Sequence, residues 1–185
     1  MLFQKGTTRF VIAFPSFGFV IKLPIIHLIL FYHTVKETWR FGGKMILCMW
    51  KINITSPQSL KSHLFGGFYA NWMEFQFWSM SKHPLLYPTW FSFFGLFNIQ
   101  KHGKPLSGKL QLVDQVITKL THGASRDCGH GFETPINYTE FNGCLRMIDY
   151  GSPKLWPVIL TYGELIMKVT TIECCLKPDT QKITV

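Results

Sequence analysis

The stretch INYTEFNGCLRMIDYG, residues 136–151, carries the clearest local structural signal in this chain. Two short runs, residues 136–141 and 144–148, flank Asn142-Gly143, the pair preferred in two-residue type I′ turns. The stretch therefore predicts a β-hairpin that leads directly into Asp149-Tyr150-Gly151. A strand would fix the Asp149 carboxylate, and the glycine would let the chain turn away beside a ligand.

Asn137 enters the same hairpin from its opposite end. Because the ends of two paired strands lie together, we expect an amide oxygen and a carboxylate at one edge of a small sheet. Hard oxygen ligands of this kind suit Mg²⁺ that carries the phosphates of a nucleotide. The sequence thus predicts a magnesium site at Asn137 and Asp149.

The apolar segment at residues 10–32 has two interpretations, a membrane segment or soluble strands. Breaks at Pro15, Gly18 and Pro24 favour strands joined by a turn over one lipid-facing helix. We therefore predict a β-hairpin with strands at residues 9–14 and 19–23, and we expect membrane association to be unlikely.

The rest of the chain predicts a mixture of helices and strands, which makes the expected fold class α+β. Residues 25–63 predict an irregular insertion with one short helix, and residues 85–99 predict two buried strands broken near Pro88 and Gly95. Helices are predicted at residues 68–80, 110–120 and 158–169, with a linker at residues 102–105 and a polar tail at the end.

Composition narrows the class of protein. Hydrophobic residues make up 47% and charged residues 16% of the 185, which excludes a solvated disordered chain. The formal charge of +9 is spread along the sequence without a polybasic run, so it gives no strong nucleic-acid signal. Five irregularly spaced cysteines without a CxxC pair favour reduced thiols, no zinc site and a cytoplasmic protein.

Three motifs resemble elements of the protein kinase superfamily, and in particular its short members in bacteriophage genomes. DYG at residues 149–151 resembles D-F-G, and HGFETPIN at residues 130–137 resembles H-R-D-x-K-P-x-N. The matching positions of the second motif are His130, Pro135 and Asn137. FVIK at residues 19–22 is similar to the V-A-I-K strand.

The resemblance implies one kinase-like domain with two lobes. Residues 1–100 would form an antiparallel N-lobe with the insertion at 25–63, and residues 101–185 a truncated, mainly helical C-lobe. The protein would then act in the cytoplasm, or in the host cytoplasm if the chain is viral.

The resemblance also implies ATP and Mg²⁺ as cofactors. Lys22 would pair with the phosphates and Glu74 with Lys22, while Asn98 and Gln100 would lie near the hinge that grips the adenine. Asn137 and Asp149 would hold the metal. Gly6-Thr7-Thr8 would stand where the glycine-rich loop lies.

Several departures from the kinase pattern put catalysis in doubt. Phe132 occupies the place of the catalytic-loop aspartate, and a phenyl ring cannot act as a general base. Thr134 replaces the usual lysine, and no A-P-E element follows Asp149. No catalytic residue is therefore assigned, and a weakly active kinase or a pseudokinase is expected. The alternatives are a non-catalytic module that binds a protein partner through its aromatic surface, and a small membrane-associated protein that uses residues 10–32.

Overall fold

The computed structural model describes residues 1–56, 58–103, 115, 117–127, 132, 137–142 and 144–169. Its secondary structure is a mixture of helices and antiparallel strands, so the α+β expectation is confirmed. The chain divides into two compact units. The first contains Met1–Ser79 and Thr89–His102, and the second contains Met80–Pro88 and the described residues from Gly103 onward.

The first unit is built on a five-stranded antiparallel sheet with the strand order β1-β2-β3-β5-β4. Its strands are β1 (Leu2–Lys5), β2 (Arg9–Phe14), β3 (Phe19–Pro24), β4 (Thr89–Ser92) and β5 (Asn98–Lys101). The segment between β3 and β4 is helical over most of its length. The sheet is thus completed by two strands that are distant in sequence from the other three.

The predicted N-terminal hairpin is confirmed. Arg9 pairs with Pro24 at its open end, and Phe14 pairs with Phe19 beside the turn. A 3₁₀ turn at Pro15–Phe17 connects the strands, and Gly18 follows it with φ +72°, a value that favours glycine. Strand β1 was not predicted. It pairs with β2, so that Gly6-Thr7-Thr8 lies in the β1–β2 connection.

The prediction of an irregular insertion with one short helix at residues 25–63 is wrong. This region forms two helices, α1 (Leu28–Trp39) and α2 (Gly43–Lys51), and the first turn of a third. Gly42, with φ +90°, separates α1 from α2. Gly42 therefore marks the boundary between two helices. The sequence pattern did not distinguish such a boundary from irregular structure.

Helix α3 (Leu60–Ser81) confirms the helix predicted at residues 68–80 but begins at Leu60. Gly66 and Gly67 lie inside it. A Cβ on Gly67 would meet the Thr8 carbonyl oxygen and would lie 2.8 Å from Pro24 Cβ. Gly67 thus permits a close approach between α3 and the edge of the sheet.

The face of the sheet that meets α3 is polar. Paired residues in an antiparallel sheet point to the same side. The buried polar members of this face are Arg9, Lys22, Thr89, Asn98 and Gln100. The opposite face carries partly exposed apolar side chains, namely Phe10, Ile12, Phe14, Phe19, Ile21, Leu23 and Ile99. Buried polar side chains therefore lie on this face beside apolar ones such as Val20, while the other face is apolar and partly exposed.

Strands β4 and β5 confirm the two strands predicted within residues 85–99, and the connection between them contains Gly95 with φ +77°. The expectation that both are buried is wrong for β4. Trp90 and Phe91 are exposed at a point where the pairing of β4 with β5 is irregular. A bulge of this kind turns side chains away from the core.

The second unit contains the predicted Asn-Gly hairpin. Strands β6 (Tyr138–Phe141) and β7 (Cys144–Met147) are antiparallel, and Phe141 pairs with Cys144 across the turn. Asn142 has φ +52°, as a type I′ turn requires. On the other side of β7, the Tyr87 N–H donates to the Met147 carbonyl at 2.8 Å and the Met147 N–H donates to the Leu85 carbonyl at 2.7 Å.

Two helices of the second unit are α4 (Ala124–Asp127) and α5 (Leu155–Val169). Helix α5 confirms the helix predicted at residues 158–169. Of the helix predicted at residues 110–120, residues 115 and 117–120 are helical and the others lie outside the described residues. The predicted polar tail and residues 104–105 of the predicted linker also lie outside them. No helix within the described residues has the length and apolar character of a membrane span.

Candidate functional site

An ion pair between Lys22 and Glu74 lies at the centre of the first unit. Lys22 Nζ lies 2.8 Å from Glu74 Oε1 and 2.9 Å from Oε2, so that the ammonium group bridges both oxygens. The lysine is 5% exposed and the glutamate is fully buried. The pairing that the kinase resemblance implied for these two residues is therefore present in the structure.

A second cation shares the Glu74 carboxylate. Arg9 Nη1 donates to Glu74 Oε2 at 2.7 Å, and the Thr89 hydroxyl donates to Oε1 at 3.3 Å. The Thr89 hydroxyl in turn accepts a hydrogen bond from Gln100 Nε2 at 3.2 Å. Glu74 is thus the carboxylate shared by a lysine and an arginine from neighbouring strands.

The periodicity of α3 explains how Glu74 reaches the sheet. Gly67, Asn71, Glu74 and Phe77 are the buried residues in its central part, and their spacing of three and four positions places them on one face. Strand alternation puts Lys22 on the face of β3 that meets this stripe. Thus the helix presents a carboxylate where the strand presents an ammonium group.

Two asparagines connect the cluster to neighbouring main chain. Asn71 Nδ2 donates to the carbonyl oxygens of Lys22 and Gly95, each at 3.1 Å, and Asn98 Nδ2 donates to the Asn71 carbonyl at 2.8 Å. The Oδ1 atoms of Asn71 and Asn98 are buried, and within the described part of the chain neither accepts a hydrogen bond. Asn71 thereby fixes the main chain at Lys22, which precedes α3 in the sequence, and at Gly95, which follows it.

The two residues predicted to lie near the adenine belong to this buried network. Asn98 is fully buried and Gln100 is 1% exposed, and both side chains donate to groups inside the first unit. Both residues lie on β5, the strand before His102. Their role toward a nucleotide stays a prediction.

The predicted metal ligands Asn137 and Asp149 lie at the open end of the β6–β7 hairpin. The Ile148 N–H donates to the Asn137 carbonyl at 2.7 Å, which brings residue 137 beside the strand end that carries Asp149. Both residues are partly exposed. The main chain therefore brings Asn137 and Asp149 to the same end of the hairpin. That their side-chain amide and carboxylate meet there, and that they bind a metal, stay predictions.

Tyr150 anchors the DYG element in the second unit. Its ring is fully buried, and its hydroxyl donates to the Tyr87 carbonyl at 2.7 Å. Gly151 is buried as well. The carboxylate of Asp149 is therefore held next to a residue that is fixed both by packing and by a hydrogen bond.

The segment that resembles the catalytic loop is described only at Phe132 and Asn137, because residues 128–131 and 133–136 lie outside the described residues. Phe132 is 1% exposed, and its carbonyl accepts a hydrogen bond from the Tyr138 hydroxyl at 3.3 Å. This ring is part of the core of the second unit.

The predicted residues therefore fall into two groups. Lys22, Glu74, Asn98 and Gln100 belong to the first unit, and Asn137 and Asp149 to the second. Among the described residues there is no group of three or more His, Cys, Asp and Glu side chains that could hold a metal ion. A metal at Asn137 and Asp149 would thus take further oxygen ligands from a nucleotide or from water, as Mg²⁺ commonly does.

Sequence reasoning missed Arg9, Asn71 and Thr89. Arg9 begins the strand predicted at residues 9–14, and the resemblance assigned no role to it, although it is a cation in an apolar strand as Lys22 is in the next strand. Thr89 follows Pro88 in an aromatic segment, and Asn71 lies in an aromatic helix. Helical spacing between Asn71 and Glu74 was the signal that could have linked these two.

Comparisons with protein family models, with curated proteins and with solved structures found no match for this chain.

Proposed function

We propose that this chain is a kinase-like protein that binds ATP with Mg²⁺, and that it is weakly active or a pseudokinase. The observation that carries the proposal is the buried Lys22–Glu74 ion pair, with Nζ 2.8 Å from Oε1. A strand lysine paired with a helix glutamate is the arrangement that holds nucleotide phosphates in protein kinases. Lys22 would orient the phosphates, and Glu74 would position Lys22.

The second support is the arrangement of Asn137 and Asp149 at the end of the β6–β7 hairpin. In protein kinases, the catalytic-loop asparagine and the D-F-G aspartate hold Mg²⁺. In this proposal the two units correspond to an antiparallel N-lobe and a truncated C-lobe. Phosphoryl transfer depends mainly on positioning and on neutralising charge, so an incomplete catalytic loop is compatible with slow transfer.

A thermal-shift titration with Mg·ATP tests the proposal. A ligand at 100 times its Kd stabilises the folded state by about 2.7 kcal/mol, which is readily measured. We expect a saturable rise in Tm that is lost in Lys22→Met and in Asp149→Ala. Exposed Lys5→Met and Lys154→Met serve as controls and should keep the shift.

Because Lys22→Met alters a buried ion pair, binding should also be measured by equilibrium dialysis below the Tm of each variant. If wild-type protein shows neither a shift nor bound nucleotide at millimolar Mg·ATP, the proposal is wrong. If Lys22→Met is folded and binds as the wild type does, then Lys22 does not hold the phosphates.

A non-catalytic interaction module is the second candidate function. It is favoured by Phe132, which fills the position of the catalytic aspartate with a ring that is 1% exposed. A buried phenyl ring there contributes to stability and not to proton transfer. Capture of a protein partner that survives Asp149→Ala, in a chain that binds no nucleotide, would support this function over the first.

A further inference from the structure

The helical hairpin formed by α1, the turn at residues 40–42 and α2 is largely exposed. Thr38 is the buried residue of α1, and α2 has none. The Thr38 hydroxyl lies 3.2 Å from Met49 Sδ and links the two helices near the turn. At the base, the His27 N–H donates to the His63 carbonyl at 2.8 Å. The hairpin is thus attached to the first unit while its sides are open.

The exposed surface of this hairpin is strongly apolar. Ile29 is 77%, Trp39 69% and Phe41 75% exposed. The other large exposed hydrophobic side chains of the hairpin are Leu28, Leu30, Tyr32, Met45, Leu47 and Trp50. A soluble protein rarely leaves this many large hydrophobic side chains exposed on one short segment, so this surface indicates an interaction site.

The exposed charges of the same hairpin are mostly positive. Four exposed cations, Lys36, Arg40, Lys44 and Lys51, accompany one exposed acid, Glu37. Three of these cations flank the turn, where Trp39 and Phe41 are also exposed. Helices that combine basic residues with Trp, Phe and Leu are typical of segments that lie in the interface of an anionic membrane.

We propose that this hairpin docks on the surface of a membrane that contains anionic lipids. An α-helix of 12 residues is about 18 Å long, which is shorter than the roughly 30 Å hydrocarbon layer. The helices therefore lie along the interface, with the aromatic side chains of the turn inserted and the cations at the headgroups. This surface is distinct from residues 10–24, which form strands of the sheet.

Charge and side-chain type favour lipid over other occupants. A second copy of the hairpin would bring like-charged surfaces together, which is unfavourable. Single-stranded nucleic acid is held by base stacking on aromatic rings, whereas Leu28, Ile29 and Leu47 have no stacking face. Aliphatic side chains beside cations fit an acyl layer beneath anionic headgroups.

Co-sedimentation of the full chain with vesicles tests the proposal. We expect binding to phosphatidylcholine vesicles that contain about one third phosphatidylserine and little binding to phosphatidylcholine alone. Arg40→Glu with Lys44→Glu should weaken partition by roughly 30-fold or more, from about 1 kcal/mol for each lost cation. The control Lys119→Glu with Lys154→Glu makes the same change in net charge at exposed positions of the second unit and should bind as the wild type does.

Brominated lipids give a second measurement that reports depth. They should quench the tryptophan fluorescence of the wild type and of Trp90→Phe, whereas Trp39→Phe with Trp50→Phe should lose most of the quenching.

The proposal is overturned if the wild type binds neither the vesicles with phosphatidylserine nor those of phosphatidylcholine alone. It is also overturned if Lys119→Glu with Lys154→Glu weakens binding as much as Arg40→Glu with Lys44→Glu does. Dimers in sedimentation velocity that Trp39→Ala abolishes would assign the hairpin to a second copy instead. Nucleotide binding is measured separately, so either proposal can fail alone.

Discussion

Lys22 Nζ lies 2.8 Å from Glu74 Oε1, although 52 positions separate the two residues in sequence. Helices α1 and α2 lie between them in the chain. The ion pair therefore joins β3 to α3 directly, and the helical hairpin is inserted between the two partners without separating them. The proposed phosphate-binding lysine and the proposed membrane surface therefore belong to the same unit.

Glu74→Gln is expected to destabilise the protein strongly. The amide carries no charge, so Arg9 and Lys22 would lose their shared carboxylate in a buried site. Removing one partner of a buried ion pair typically costs about 3–5 kcal/mol. Urea denaturation should show this loss, whereas the exposed Glu140→Gln should change the free energy of unfolding by less than about 0.5 kcal/mol.

A variant in which Arg9, Lys22 and Glu74 are all replaced by apolar residues is the matched comparison for Glu74→Gln. In Arg9→Met with Lys22→Met and Glu74→Leu, no charge of this cluster is left buried, so most of the stability lost in Glu74→Gln should return. A Glu74→Gln variant as stable as the wild type would show that the carboxylate does not hold the two cations in solution.

Gly66 and Gly67 are adjacent in α3 but are expected to respond oppositely to alanine. At Gly66 the nearest contact of an added Cβ is Ser62 Cβ at 3.9 Å, so Gly66→Ala should stabilise the helix by up to about 1 kcal/mol. At Gly67 the Cβ would meet the Thr8 carbonyl and Pro24 Cα, which are main-chain atoms that cannot rotate away. Gly67→Ala should therefore cost roughly 1–3 kcal/mol. Equal Tm values for the two variants would contradict the close packing of α3 on the sheet.

Asn142 is expected to tolerate glycine but not valine. Its φ of +52° is accessible to asparagine and glycine, whereas a β-branched residue there costs about 1–2 kcal/mol. Asn142→Gly should keep the Tm of the wild type, and Asn142→Val should lower it by several degrees. Glu140→Val, at an exposed strand position, is the control for the added side chain. If Asn142→Val matches that control, the turn does not adopt this conformation.

Local turn chemistry made both hairpins predictable. The Asn142-Gly143 pair and the Pro15–Gly18 segment each specify a short connection, and the strands on either side followed from their composition. The pairing of Glu74 with Lys22 was predicted from the resemblance to protein kinases rather than from spacing.

The features that the sequence did not reveal depend on contacts between distant segments. The glycines of α3 and of the α1–α2 connection have opposite structural roles, one inside a helix and the other between helices, and composition alone does not separate these roles. Strand β1 and the polar inner face of the sheet depend on pairing with β2 and on packing against α3. The buried Arg9 and Asn71 could not be predicted before that pairing was known.

Stability is expected to fall as the pH is lowered because of His83. Burial lowers the pKa of His83, the Arg146 guanidinium lowers it further, and Glu164 opposes these effects. In the folded protein His83 Nδ1 accepts a hydrogen bond from the Leu85 N–H at 3.1 Å, which favours the neutral ring. The unfolded chain takes up the proton at a higher pH than the folded one. The contribution of neutral His83 to the free energy of unfolding is therefore complete above the ordinary histidine pKa of about 6.5. It is lost as the pH falls toward the lower pKa of His83 in the folded protein.

The measurement is the urea midpoint between about pH 7.5 and about pH 5.5, the range in which histidines titrate. His83→Asn keeps an acceptor for the Leu85 N–H but does not titrate, so the midpoint should fall less steeply with decreasing pH than in the wild type. Burial also lowers the pKa of His63, which contributes in the same direction, so part of the slope should remain in His83→Asn and decrease further when His63→Asn is added. A slope that is identical in the wild type and in His83→Asn would show that the ring is not held neutral by the fold.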